Sequence, residues 1–267
     1  MFCFCESFDS SYGCELLQDI RKICADWGTE LVEISIPPPG LEQQSQWLQI
    51  RKEKPDWVTF WGAGSGMNST AMTNAARINF PRDRMMYVTF GAAEEDMYPA
   101  GDAAVGTYAV ANALPGEYPL VKDIKTKVYG AGKGNLADES RIGSVYWNRG
   151  LGAAVMWIEG LRNAQKMHNK VGKAVNGAEF RDGYEAIDMN EARMKELGID
   201  GMLAPFAISC ENHEGAGKFA VMQWDGEKFN QVTGWEAPLD PKFIRGLVET
   251  SAAKFAKENN ITPKKCG

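Results

Sequence analysis

The glycine-rich run Gly62–Gly66 is the first place where the sequence offers residues that could do chemistry. It follows an apolar segment and opens a helical pattern, which is the setting of a dinucleotide-binding loop or of a nucleophile elbow. The motif G-x-G-x-x-G requires a glycine where Met67 stands, and an elbow around Ser65 requires glycines where Ala63 and Met67 stand. Both motifs fail, so the run predicts a backbone turn at a strand end.

Other candidate reaction centres are weaker. The run Gly130–Asn135 contains a lysine, but its spacing is not that of a P-loop and no strand precedes it. His168 lies at a polar helix end and is expected at the surface. His213, between Glu211 and Glu214, could be a metal ligand or a base, but a packing role is favoured because no second histidine or aspartate stands at metal-ligand spacing. The sequence gives no positive sign of an enzyme.

Composition excludes several function classes. The 267 residues are 44% hydrophobic and 24% charged, which is typical of a globular protein. A net charge of -6 provides no basic surface for nucleic acid. No apolar stretch approaches the roughly 18 residues of a membrane span, and no signal-peptide pattern follows Met1. Taken alone, these features favour the cytoplasm.

Strand and helix patterns alternate through the first part of the chain, with the last strand predicted at Val105–Val110. This alternation predicts an α/β fold whose parallel strands are joined by right-handed crossovers, with helices on both faces. Ligands of such sheets bind at the carboxyl ends of the strands. Three polar or glycine-rich loops lie there, Ser7–Gly13, Gly62–Gly66 and Gly91–Glu95.

The second part of the chain is mainly helical and ends with a hairpin and a helix. The long helix Ile142–Lys166 is rich in alanine, glycine and tryptophan, and Asp225–Lys228 carries the Asp-Gly signal of a tight hairpin turn. We therefore predict three regions: an α/β lobe over 1–113, a helical part over 114–199, and a return segment over 200–267.

Four segments of the chain are distinctive in their order: FDSSYGCELLQDIRKICADWGTELV, IRKEKPDWVTFWGAGSG, YWNRGLGAAVMWIEGLRNA and YEAIDMNEARMKELGIDGMLAPFAISCENHEGAGKFAVMQWDGEKF. Together they resemble the substrate-binding proteins of ABC transporters for branched-chain amino acids, a two-lobed Venus-flytrap family. In that family a strand ends in aspartate, a small polar residue and Tyr-Gly, and the helix that follows runs to a glycine.

The resemblance implies a type I periplasmic binding fold with one near-complete lobe and part of a second. It implies a solute-binding component without enzymatic activity, located in the periplasm or outside the cell, with a membrane permease as partner. The expected ligand is a branched-chain amino acid, an amide, or an aromatic or organic acid, and no cofactor is implied. In the family a signal peptide and a first sheet precede the Tyr-Gly block, so we expect this chain to lack an N-terminal section.

The expected ligand contacts come from the three strand-end loops and from the start of the long helix. Ser10 and Ser11 offer hydroxyl groups, Tyr12 offers an aromatic wall, and Gly64 with Ser65 forms an anion-tolerant turn. Gly91 permits close approach of the backbone, and Glu94 offers a carboxylate to an amine. Tyr146, at the start of the long helix, completes the set. Alternatively, these loops only cap helices, which Ser10 and Ser65 could do alone.

Two alternatives share the first half of the chain. The fold could be a free-standing flavodoxin-like domain with a helical cap. The function could be that of a cytoplasmic α/β-hydrolase-like or flavodoxin-like enzyme, with its site at the strand carboxyl ends.

Cys210 and Cys266 are the only cysteines late in the chain. We predict a disulfide between them, which in an exported protein would hold the tail and contribute roughly 4 kcal/mol. The alternative is two free thiols, as expected in a reducing cytoplasm.

If the family's first sheet is absent, the helix over 142–165 loses its cover. We then expect it to carry the largest exposed apolar patch and to permit self-association. The side chains concerned are Ala153, Ala154, Val155, Trp157, Ile158 and Leu161.

Overall fold

The computed structural model describes residues 2–6, 11–37, 39–62, 64–88, 92–263 and 265–266. Strands in these ranges are β1 (Phe2–Glu6), β2 (Leu31–Ser35), β3 (Trp57–Trp61), β4 (Met85–Val88), β5 (Tyr108–Ala111), β6 (Asp188–Met189), β7 (Phe206–Ala207), β8 (Ala220–Trp224) and β9 (Phe229–Gln231). Helices are α1 (Ser11–Asp26), α2 (Gln44–Glu53), α3 (Ser65–Arg77), α4 (Glu94–Met97), α5 (Pro119–Ile124), α6 (Val145–Met167), α7 (Gly177–Tyr184), α8 (Glu191–Leu197) and α9 (Pro241–Glu258).

The chain divides into two compact units, each built from three stretches of sequence. Unit 1 comprises Met1–Glu117, Asn135–Arg149 and Ala220–Gly234, and unit 2 comprises Tyr118–Gly134, Gly150–Phe219 and Trp235–Gly267. The units therefore interleave along the chain, whereas the sequence-based boundaries after 113 and 199 divide it consecutively.

Unit 1 contains a seven-stranded sheet in the order β2-β1-β3-β4-β5-β8-β9. The first five strands are parallel, as the alternation of strands and helices predicts. Strand β8 runs antiparallel to β5, and the predicted hairpin places β9 antiparallel to β8. Because β1 to β5 are parallel, their carboxyl ends lie at one edge of the sheet.

The unit 1 core forms where the sheet side chains meet the helices. Alternate residues of β3 and β4 are buried, as the two-residue period of a strand requires. The fully or almost fully buried side chains include Val58, Phe60, Met72, Met85, Tyr87, Met222 and Trp224. The predicted fifth strand begins three residues too early, because Gly106 turns the chain with φ +93° and β5 starts only at Tyr108.

Unit 2 is mainly helical within the described residues and has its own core. Its buried side chains are Val155, Ile187, Met189, Met194, Ile199, Met202 and Ile208. The strands β6 and β7 form a short antiparallel pair beside them. Helices α6 and α7 approach closely, since a side-chain carbon at Gly183 would overlap the backbone of Ala164 and Gly160.

A disulfide joins Cys210 to Cys266, as expected for an exported protein. The bond spans a sequence separation of 56 residues and attaches the end of the chain to unit 2. Arg245 of α9 reinforces the attachment through Glu214 at 3.0 Å and through the Glu211 carbonyl at 2.8 Å.

The apolar face predicted on α6 is present in part. Trp157 and Ile158 are 63% and 49% exposed, and Leu161 is also exposed. The prediction is wrong for Val155, which is buried in the unit 2 core. Trp157 packs on Phe180 of α7 with ring centroids 5.0 Å apart. Self-association through this face stays a prediction.

Two truncations distinguish the buried and exposed apolar positions of unit 2. We expect Met194→Ala to lower the free energy of unfolding by about 2–5 kcal/mol, because it leaves a cavity in the core. Ile158→Ala should change it by less than about 1 kcal/mol, since that side chain is already half in water. Urea denaturation of both variants measures the difference, and equal losses would contradict this description of the core.

Candidate functional site

The carboxyl edge of the unit 1 sheet carries the candidate site. Helix α3 starts directly after β3, and α4 starts a few residues after β4. Gly64 precedes α3 with φ +93°, a conformation that favours glycine. Gly62 must also lack a side chain, because a side-chain carbon there would overlap Oδ1 of Asn68 in the first turn of α3.

Asp96 of α4 lies at the centre of a buried polar network. Its side chain has no exposed surface. Oδ1 accepts a hydrogen bond from Nδ2 of Asn68 at 2.8 Å, and Oδ2 accepts one from the Tyr146 hydroxyl at 2.9 Å. A buried carboxylate requires such partners, since leaving water without them costs several kcal/mol. The network joins the first turns of α3 and α6 to the segment after β4.

Two further contacts of α4 fix the beginning of α6. Oε2 of Glu94 accepts the backbone N–H of Val145 at 2.9 Å, and Oε1 of Glu95 accepts the Ser144 hydroxyl at 3.0 Å. The first N–H groups of a helix have no partner within it and carry partial positive charge, so carboxylates at this position are stabilising. The three acidic residues of α4 thus contact three consecutive residues of the chain.

Asn148 holds the loops that lead to this helix start. It is fully buried, and its Nδ2 approaches the carbonyl oxygens of Leu114, Gly143 and Gly116 at 2.9, 3.2 and 3.3 Å. These carbonyls belong to the segments after β5 and before α6. The start of α6 is therefore held by the segments after two different strands.

Burial changes the acidity of the network. It raises the pKa of Asp96 from its ordinary value of 3.8 to about 6, although the hydrogen bonds from Asn68 and Tyr146 lower it. Burial also raises the pKa of Glu94, against the opposing bond from Val145. The guanidinium of Arg149 lies 5.3 Å from the Tyr146 ring centroid, and burial lowers its pKa.

The structure brings together two of the predicted contacts, Glu94 and Tyr146. Glu94 was expected to bind a ligand amine, but its carboxylate instead accepts the first N–H of α6. Gly64 and Ser65 lie at the start of α3, and Ser11 and Tyr12 open α1. Two predicted contacts, Ser10 and Gly91, lie outside the described residues.

Asn68, Asp96 and Arg149 were not found from the sequence. Asp96 stands in an acidic run that reads as a solvated helix face, and Asn68 stands in a run of small polar residues. A hint in the sequence is Gly62, at the end of the third strand. Because glycine has no side chain, it leaves space there for the Asn68 side chain from the first turn of α3.

The two histidines do not form a metal centre. Nε2 of His213 lies 3.4 Å from Glu185, and this imidazole is 63% exposed, so the expected packing role is wrong. His168 is partly exposed and lies 3.2 Å from Asp182. Within the part of the chain that the structure describes, no three histidine, cysteine, aspartate or glutamate side chains are grouped as a metal site would require.

Unit 2 holds a separate polar cavity of about 300 Å³ beside Glu159 and Arg193. Glu159 accepts hydrogen bonds from Arg162 at 2.7 Å and from two nitrogens of Arg193 at 2.8 Å. Because both guanidinium groups are already paired with Glu159, the cavity is a weaker candidate than the edge of the unit 1 sheet.

The sequence of residues 2–229 matches the model of the periplasmic binding protein family. The chain belongs to this family. A type 1 periplasmic binding protein from Bordetella pertussis is also among its structural neighbours, so the predicted fold is confirmed and the flavodoxin-like alternative is set aside.

Three solved structures illustrate the relationship. The first, from the Pseudomonas fluorescens group and described as an ABC transporter permease, is 35% identical, with a TM-score of 0.90 over 100% of this chain and 63% of that chain. A branched-chain amino acid ABC transporter protein from Thermus thermophilus with bound valine is 18% identical, with a TM-score of 0.73 over 89% and 61%. A solute-binding protein from R. palustris in complex with benzoate is 18% identical, with a TM-score of 0.63 over 89% and 60%.

This periplasmic binding protein therefore spans about three fifths of the length of these relatives. No curated protein sequence matches it. Among the helices of the described ranges, each is too short or too polar to cross a bilayer.

The raised pKa of Asp96 predicts a specific pH dependence of stability. Between pH 7 and pH 4 the folded state binds the Asp96 proton more tightly than the unfolded state, so this residue makes the free energy of unfolding larger in acid by about 2–3 kcal/mol. Asp96→Asn should remove that contribution.

Urea denaturation at several pH values between 4 and 7 gives the free energy of unfolding of the wild type and of Asp96→Asn. The contribution of Asp96 is the difference between the two plots of this free energy against pH. The exposed Asp102, on the same segment, provides the control variant Asp102→Asn, which should follow the wild type. Parallel curves for the wild type and Asp96→Asn would contradict the pKa assignment.

Proposed function

We propose that this periplasmic binding protein is the solute-binding component of an ABC importer and delivers a small organic ligand to a membrane permease. The family match over residues 2–229 carries the proposal. The valine-bound and benzoate-bound relatives support it, because both are ABC transporter proteins that hold a small organic molecule. The protein would act in the periplasm or outside the cell and would bind without catalysis.

The carboxyl edge of the unit 1 sheet is the proposed ligand site. The backbone amides that open α3, after Gly64, suit a carboxylate or another acceptor group, since helix starts attract negative charge. Tyr146 and the buried network beside α4 give the same edge a fixed polar wall. Ser10, Ser11, Tyr12, Ser65 and Gly91 remain the proposed additional contacts, and Glu94 acts through the helix that it caps.

The proposed ligands are branched-chain amino acids, short amides, and aromatic or organic acids. All of these are small enough for a strand-end site and combine an apolar body with one or two polar groups. Such a site binds the apolar part by burial and selects the ligand with a few placed polar groups.

Isothermal titration calorimetry with L-valine, isobutyramide and benzoate tests the function. We expect saturable binding of at least one of them to the wild type. Ser65→Ala and Tyr146→Phe should weaken that binding by about tenfold or more, because each removes one proposed polar contact to the ligand.

The control is Tyr108→Phe, since Tyr108 lies in β5 and packs on Trp57, away from the carboxyl edge. It should bind as the wild type does. Absence of binding for all three ligands, or a hydrolytic activity that Ser65→Ala abolishes, would contradict the proposal and favour the enzyme alternative.

A further inference from the structure

The Tyr146 hydroxyl has a single hydrogen, and Asp96 determines where that hydrogen points. In the structure the hydroxyl donates to Oδ2 of Asp96 at 2.9 Å. An ionised carboxylate only accepts hydrogen bonds, so it holds this hydrogen as long as it stays charged. Any further polar partner of the Tyr146 oxygen must then be a donor.

Asn68 fixes which oxygen of Asp96 can take a proton. Its Nδ2 donates to Oδ1 at 2.8 Å, and both side chains are fully buried. When Asp96 is protonated, the proton therefore belongs on Oδ2, where it can donate to the Tyr146 oxygen. The tyrosine hydrogen must then turn away from Asp96, and the hydroxyl changes from an acceptor to a donor toward its surroundings.

The charged groups around Asp96 come from two helices and one loop. Glu94 and Glu95 neighbour it on α4, and Glu95 further raises its pKa by repulsion. Arg149 on α6 is the opposing cation that interacts with both Asp96 and Tyr146. Arg141, in the loop before α6, lies 4.5 Å from the ring centroid of Tyr98 and interacts with Glu94. Arg141 is itself paired with Asp138 at 3.2 Å, so the carboxylates of this region outnumber its guanidinium groups, which favours a cationic or donor group on a ligand.

We propose that Asp96 is a positioning residue that sets the direction of the Tyr146 O–H bond, and thereby makes the site prefer ligands with a hydrogen-bond donor at neutral pH and lose that preference in acid. The inference rests on the proposed function in one respect, that Tyr146 borders the ligand. The raised pKa of Asp96, about 6, places the change within the pH range that an exposed periplasmic protein meets.

Asp96→Asn should imitate the protonated state at every pH. Because Asn68 presents a donor to position 96, the new amide must turn its oxygen toward Asn68 and its NH₂ toward Tyr146. The NH₂ group donates to the tyrosine oxygen as the protonated acid would. Asp102→Asn, on the exposed part of the same segment, is the matched control.

The direction of the Tyr146 O–H bond can be followed by NMR without any ligand. In protein with ¹³Cζ-labelled tyrosine, the signal missing from Tyr146→Phe belongs to Tyr146. We expect it to shift with a midpoint near pH 6 in the wild type and in Asp102→Asn, and to stay constant in Asp96→Asn at the position of the acidic wild type. A signal that does not titrate in the wild type, or that titrates in Asp96→Asn, would overturn the inference.

The ligand preference is measured by comparing the affinities for L-valine and for 3-methylbutanoate, which is L-valine without its amino group. At pH 7.5 the wild type should bind L-valine about tenfold or more tightly than 3-methylbutanoate, as one buried charged hydrogen bond provides. This ratio should fall several-fold at pH 5.5, and equally in Asp96→Asn at pH 7.5. A ratio independent of pH would overturn the role in specificity. If neither compound binds while the Tyr146 signal titrates, the proposed ligand class fails and the control of the hydroxyl by Asp96 is supported.

Discussion

Two carboxylates buried beside the start of a helix organise the carboxyl edge of the unit 1 sheet. Glu94 and Asp96 are 8% and 0% exposed, so each requires a hydrogen-bond donor. The donors come from Val145 and Tyr146, at the first turn of α6. These hydrogen bonds therefore hold the segment after β4 against the start of α6, although about 50 residues separate the two in sequence.

Burying these carboxylates has an energetic cost, and the proposed site gives it a use. Burial raises the pKa of Asp96, which means that its charged form destabilises the folded state at neutral pH. Proteins retain such costs mostly at sites where a fixed polar geometry is useful. In the proposed site the charge would hold the Tyr146 hydroxyl in one direction before a ligand arrives, so the ligand would not have to supply the energy of ordering it.

The fold could largely be predicted from the sequence, because strand and helix patterns act locally. The alternation through β4 fixed the parallel sheet, and Asp225–Gly226 located the hairpin between β8 and β9. The predicted boundaries of the elements were wrong where tertiary contacts or backbone turns determine where an element begins. The fifth strand starts at Tyr108 rather than at Val105, because the chain turns at Gly106.

The candidate site could be predicted only in outline. The rule that ligands bind at strand carboxyl ends led to Glu94, which does lie at the carboxyl edge of the sheet, and the long helix of the resemblance added Tyr146. Ligand binding by either residue stays a prediction. The partners of both residues could not be predicted, because Asp96 and Tyr146 meet through the fold and no spacing along the chain reports it. The same holds for Val155, whose burial depends on residues from several other segments of unit 2.

The claim that a ligand binds at the carboxyl edge of unit 1 is tested most directly by amide chemical shifts. A ¹⁵N-labelled sample would be titrated with the tightest of the ligands found by calorimetry. We expect the largest shifts in the first turn of α3, in α4 and in the first turn of α6, at residues such as Asn68, Asp96 and Tyr146. Shifts confined to unit 2, around Glu159 and Arg193, would contradict it.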